Sequence, residues 1–324
     1  MQPTATTLDP GAIGEQSPSV ASACWFQWSG FLLAIYATIS VVGWRRTLID
    51  TEVWALFHAG RSFGEFMNAV RGDLVHPPLF YVIEWLWVRA VGHTDTAVKT
   101  LAFLINVPSF FLFTWLAARV TRRWRLVSFL FFGLYFRIGS TPNQVRMYGL
   151  GLLLTIAAMV LWERWHERPS NRSLIAWTFV AVLLVYTHLF GLLTLAGFLV
   201  ANWLAGPRRR AFTAATVGAA LSFLPWLFYV LPVYRSRGLA DNLTWVPKQI
   251  HVALGILSYG LLGEVEAAQS SRILFAVLAA AINFAVLLLV LRTATRLWPP
   301  TAGAHAGRRW FWVAMTLVAV PILT

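Results

Sequence analysis

The sequence predicts an all-α polytopic membrane protein with about nine transmembrane helices. Three observations predict it. Of 324 residues, 58% belong to the apolar set and only 12% are charged, whereas a soluble domain carries about 25% charge. The apolar residues come in runs long enough to cross a bilayer. The basic residues sit in small clusters between those runs, the pattern that orients a chain in a membrane.

The remaining composition excludes other classes. Net charge is +13, and every basic residue but Lys99 and Lys248 is an arginine. Such a balance can mark a nucleic-acid binder, but here the arginines are dispersed among apolar runs rather than gathered on one soluble domain. A single cysteine, Cys24, excludes a disulfide framework and a cysteine-based metal site. No internal repeat of fixed period is visible.

Taken in order, residues 1–23 are polar and small, contain Asp9 and Glu15, and carry no Lys or Arg. They lack the positive start of a secretory signal and read as a disordered cytoplasmic tail. The first span runs about Trp25 to Gly43. A first outer loop follows over 44–97. Within it Pro77 to Gly92 reads as a short helix started by Pro78; with Glu84 and Arg89 it is too short and too charged to span, and lies at the interface. Further spans are expected near 98–118, 126–140, 147–163, 173–187, 190–205, 212–231, 272–292 and 310–324, with a later outer loop at 232–271. The outer end of 126–140, near Arg137, is expected to unwind where it lines a wet cavity.

Arg119, Arg122, Arg123 and Arg125 share one short loop; Arg164, Arg168 and Arg172, then Arg208 to Arg210, then Arg292, Arg296, Arg308 and Arg309 occupy alternate later ones. Those loops belong on the cytoplasmic side. Arg45 and Arg46 oppose this assignment and are outnumbered. Nine of the 13 acids then face outward, where acid–base chemistry would sit.

Five outer constellations are candidates. Asp50 and Glu52 lie two residues apart just beyond the first span. Either is a general base toward an acceptor hydroxyl, or both are solvated loop acids capping the next helix. Asp73 and His76 precede the paired prolines Pro77 and Pro78. His76 and the helix end touch a phosphate, or Asp73 and His76 help bind a metal, or the segment is a capping turn. Gln144, Arg146 and Tyr148 stand at the outer mouth of a span. A guanidinium there binds an anion such as phosphate, or snorkels to headgroups. His188, in Tyr186-Thr187-His188, faces the same side and has catalytic and structural readings. The outer segment after Tyr234 holds Arg235, Arg237, Asp241, Trp245 and Lys248, groups suited to a sugar, a phosphate or a membrane surface. No P-loop, dinucleotide fingerprint, zinc-protease motif or nucleophile elbow is present. An outward-facing enzyme without nucleotide machinery needs its activated substrate on a lipid.

In this order the pieces resemble the GT-C superfamily of integral-membrane glycosyltransferases, in the bacterial branch of protein O-mannosyltransferases and lipid A aminoarabinose transferase. The resemblance rests on Asp50-Thr51-Glu52, His76-Pro77-Pro78-Leu79-Phe80-Tyr81, Asn143-Gln144-Val145-Arg146-Met147-Tyr148, Tyr186-Thr187-His188 and Trp245-Val246-Pro247, and covers roughly residues 28–290. It implies an inverting transfer of sugar from a polyprenyl-phosphate donor to a hydroxyl on a lipid, glycan or protein. The site would face outward from the bacterial inner membrane. It also implies catalysis by Asp50 or Glu52, donor-phosphate binding by Arg146, His76 and Tyr148, and substrate contacts from Asp73, Gln144, His188 and Trp245. No cofactor beyond a divalent metal is implied, and the interfacial helix would close the site from outer water. Thr51 and Gln144 stand where the family has acids, and Asp73 is three residues before His76 rather than two. A non-catalytic relative and a transporter or flippase of a lipid-linked glycan are the alternatives. Relatives continue with further spans, so the resemblance implies C-terminal spans missing from this chain.

Overall fold

In a computed structural model the protein is described over residues 18–43, 48, 52, 56–58, 60–72, 76–120, 123–137, 144–205 and 209–236. Ten helices of at least ten residues occupy these stretches: α1 (Pro18–Gly43), α2 (Phe63–Gly72), α3 (Leu79–Val91), α4 (Asp95–Val120), α5 (Trp124–Arg137), α6 (Tyr148–Glu167), α7 (Asn171–Val185), α8 (Phe190–Ala205), α9 (Arg209–Leu221) and α10 (Leu224–Ser236). The all-α class is therefore as the periodicity predicts.

Three stretches are long and apolar enough to cross a membrane: Cys24–Val41, Asp95–Arg119 and Arg210–Val233. The chain thus has the helices of an integral membrane protein. The expectation of nine spans is met only in part. The expected spans at 126–140, 173–187 and 190–205 correspond to α5, α7 and α8, of 14, 15 and 16 residues. At 1.5 Å per residue these are about 21–24 Å long, short of a hydrocarbon core of about 30 Å. α6 has the length, but its last turns carry Glu163, Arg164 and Glu167. The expected spans at 272–292 and 310–324 lie outside the described residues.

Local chemistry explains the boundaries. α1 starts at Pro18, inside the expected tail; a proline is pre-set for a first helical turn. α2 was not expected within the first outer loop. It is started by a capping box, with Ser62 Oγ and Ser62 N–H both donating to Glu65 Oε2 and Glu65 N–H donating back to Ser62 Oγ. α7 begins on a second box in which Ser170 Oγ accepts from the Ser173 N–H. The expected span at 212–231 is met by Arg210–Val233, and within it the helix is interrupted at Ser222–Phe223, shortly before Pro225, which divides it into α9 and α10.

α1 and α6 pack on α4, α5 packs on α4 and α1, and α7 packs between α6, α8 and α9. Aromatic rings fill the seams: Phe110 stacks on Phe132 at 4.0 Å, Phe113 on Phe131 at 3.8 Å, and Tyr36 on Phe103 at 5.2 Å. In lipid the apolar environment removes most of the hydrophobic drive between helices, so dispersion in such seams and close backbone approach hold the bundle. Gly149 supplies one close approach: a Cβ there would stand 3.0 Å from the Asn106 amide. On the outer faces Phe129, Ile175, Phe179 and Val200 are exposed, a covering that suits acyl chains rather than water.

The bundle has two chemically different ends. At one, Arg119 makes two bonds of 2.6 Å to the Glu167 carboxylate, and the Arg119 and Arg164 guanidiniums both lie over the Trp115 ring. At the other, about 30 Å away along α6, Arg146 precedes the first turn of α6.

Candidate functional site

The second end is assembled from four separate parts of the chain. α3 supplies one part of it. Its buried residues Phe80, Glu84 and Val88 recur every fourth position, which places a carboxyl in the middle of an apolar stripe. Pro78 starts the helix, and the next N–H, that of Leu79, has no partner within the helix. It donates instead to the Tyr186 carbonyl at 2.9 Å, docking the start of α3 on the α7–α8 turn.

That turn is held tightly. The Tyr186 hydroxyl donates to the Ser222 carbonyl at 2.7 Å, so the α9–α10 break anchors it. Gly191 passes so close to the end of α7 that a Cβ would stand 2.6 Å from the Leu184 carbonyl oxygen. His188 Nδ1 accepts the Phe190 N–H at 3.1 Å, which leaves Nε2 as the donor of the neutral ring.

The predicted residues then meet in sequence. The His76 and His188 rings lie 5.4 Å apart, and His188 lies 5.9 Å from Tyr148. The Arg146 guanidinium stands 5.8 Å over the Tyr148 ring. Arg146 follows Val145, whose N–H donates to Glu52 Oε1 at 2.8 Å across 93 residues of chain. Glu52 is fully buried, at 0% exposure. Gln144 is half-buried immediately before Val145. Glu52, His76, Arg146, Tyr148 and His188 are thus brought to one place, while Asp50, Asp73 and Trp245 lie outside the described residues.

One member of the cluster was missed. Glu84 is 1% exposed, and neither of its carboxyl oxygens has a hydrogen-bond partner among the described residues. Burial pushes its carboxyl well above the usual carboxylate range; the neighbouring Glu52 pushes the same way, and Arg146 opposes both. The Arg146 Nε is likewise buried without a hydrogen-bond partner among the described residues. Among the described residues the Arg146 Nε and the Glu84 carboxyl do not hydrogen-bond each other, and buried polar groups without partners are costly. The missed signal was spacing: Glu84 stands four residues from both Phe80 and Val88.

Chemically the cluster offers two carboxyl groups, one guanidinium, two imidazoles and a phenol. It can hold an anion at Arg146 and exchange protons through Glu52, Glu84 or the imidazoles. Among the described residues no group of three His, Cys, Asp or Glu side chains is arranged to hold a metal ion. No protein-family model, no curated protein and no solved structure matches the chain.

Proposed function

We propose that the protein is an inverting membrane glycosyltransferase that moves a sugar from a polyprenyl-phosphate donor to a hydroxyl acceptor. The site would open on the extracytoplasmic side of a bacterial inner membrane. The observation that carries the reading is the meeting of Glu52 with Arg146 through the Val145 N–H, at the end of the bundle opposite the arginine-rich loops. A carboxylate base held by the residue next to a phosphate-matching guanidinium is what one displacement needs. The acceptor hydroxyl gives its proton to Glu52 and its oxygen bonds the anomeric carbon. The bond from that carbon to the phosphate oxygen breaks, and its electron pair leaves with the polyprenyl phosphate. The charge on that phosphate grows as the bond breaks, and Arg146 stabilises it, with His76 and the Nε2–H of His188 as further donors.

The topology supports the same reading. α1, α4, α5, α6, α7, α8 and the α9–α10 pair would supply seven passes, and the apolar runs at 272–292 and 310–324 two more. The short helices α7 and α8 suit a thinned or cavity-lining region. α3, about 20 Å long, would be the interfacial helix that closes the outer end. Gln144 borders the donor side. Asp50, Asp73 and Trp245 remain candidates for the base, the substrate contact and the sugar platform.

The full burial of Glu52 favours a second reading, a protein that binds a lipid-linked sugar without transferring it. Catalysis requires substrate to displace the cover over Glu52. Release of polyprenyl phosphate from polyprenyl-phosphate-linked mannose, glucose, galactose or arabinose, in membranes holding the full chain, separates the two. Transfer predicts release by the wild type and a loss of about 100-fold or more in Glu52→Gln. Binding without release by the wild type selects the second reading.

A further inference from the structure

The buried carboxyl that the displacement above leaves unused is Glu84. It is buried within electrostatic reach of Glu52 and Arg146, and it comes from a different element, the interfacial helix α3. Its position is expensive. A carboxyl buried without a hydrogen-bond partner costs stability that any apolar residue of similar size would avoid. The apolar neighbours Phe80 and Val88 on the same stripe make such a residue easy to accommodate. A buried group that costs stability beside a proposed reaction centre is a candidate for a part in the chemistry.

We propose that Glu84 and Glu52 work as an acid–base pair, Glu84 delivering a proton to the departing phosphate oxygen while Glu52 takes one from the acceptor hydroxyl. This inference rests on the transferase reading. The balance closes. The acceptor O–H and the sugar–phosphate C–O bonds break, while the new C–O bond and a phosphate O–H bond form. Glu52 ends protonated and Glu84 ends ionised. A single proton passed from Glu52 to Glu84, directly or through one water, restores both for the next turnover.

The surroundings suit these opposite roles. Glu52 accepts the Val145 N–H, a contact that a carboxylate makes well. Glu84 has no such donor among the described residues, and its carboxyl is held toward its neutral form, which is the form that can give a proton. The charged groups acting on Glu84 are Glu52 and Arg146. On α4, against which α3 packs, buried Lys99 stands 3.7 Å from Asp95, and α2 contributes Glu65, which is exposed and bonded to Ser62. The imidazoles of His76 and His188 lie in the adjoining cluster around Tyr148.

The test uses the full chain in membrane vesicles, the four polyprenyl-phosphate sugars named above, and the variant Glu84→Gln. Gln keeps the shape and cannot deliver a proton. The expected result is a fall of about 100-fold in the release of polyprenyl phosphate. The wild type should lose activity at alkaline pH, where Glu84 gives up its proton, and that alkaline limb should vanish from the variant. A dinitrophenyl glycoside of the transferred sugar, whose leaving group needs no proton, should be turned over by Glu84→Gln at close to the wild-type rate. If the wild type releases lipid phosphate and Glu84→Gln keeps both its rate and its alkaline limb, the pair is refuted and the transferase reading stands. Loss on both donors alike assigns Glu84 a structural role and also refutes the pair. If the wild type releases nothing from any donor, the transferase reading fails and takes the pair with it.

Discussion

Glu84 makes a stability prediction that is independent of any substrate. Its carboxyl is raised in the folded state above the ordinary value of 4.5 by burial and by Glu52. Between that value and the folded-state value, the native protein therefore binds more protons than the unfolded chain. Stability then falls as pH rises through this window, with a limiting slope of about 1.4 kcal/mol per pH unit for one proton. The contribution is harmless below the ordinary value and most costly above the folded one. Glu84→Gln removes the titrating group, so its stability should lose that slope. Glu84→Met also removes the unmet polar oxygens and should be more stable than the wild type at neutral pH by about 1–4 kcal/mol, the range for replacing buried charge with a packed apolar side chain. Unfolding in mild detergent, followed by tryptophan fluorescence across roughly pH 5 to 8, gives both quantities. Equal pH slopes in the wild type and Glu84→Gln would refute the reasoning, as would a Glu84→Met variant less stable than the wild type at neutral pH.

Other outcomes follow from single contacts. Gly191→Ala should destabilise the protein by about 1–3 kcal/mol, the cost of forcing a side chain into a packed site; its Cβ would meet the Leu184 carbonyl at 2.6 Å, and the thermal midpoint checks it. Gly149→Ala should cost about 1–2 kcal/mol through its contact with Asn106. Combining it with Asn106→Ala should cost less than the two single changes added together, which a double-mutant cycle reads. Arg119→Ala should cost under about 1 kcal/mol despite its two short bonds to Glu167, because both side chains are partly exposed. Raising the salt concentration should shrink that difference further.

Much of this arrangement was legible in the sequence. Apolar runs broken by arginine clusters placed the helices, because a membrane-length helix must be apolar along its length and must end in charge or turn residues. Counting passes put Glu52, His76, Arg146, Tyr148 and His188 at one end, and there they meet. Glu84 was not legible in the same way. A charge on a short helix ordinarily faces water, and it is tertiary contacts, among them Leu79 on Tyr186 and Trp87 on Ala97, that turn this stripe inward. α2 was hidden because it is only ten residues long and its apolar residues are interrupted by Glu65, Asn68 and Arg71, although Ser62 and Glu65 spell a helix start three residues apart. The break at Ser222–Phe223 escaped because the hydropathy continues through it. The short lengths of α7 and α8 were already in the sequence: the expected 173–187 and 190–205 are 15 and 16 residues long, as the two helices are.

The central claim is that Arg146 holds the phosphate of a carrier lipid. Binding of undecaprenyl phosphate to the purified full chain, compared between the wild type and Arg146→Ala, tests it most directly. The account predicts saturable binding that weakens at least about tenfold in the variant, the loss of one charge-assisted hydrogen bond. Equal affinity in the two proteins, or no saturable binding to the wild type, would contradict it.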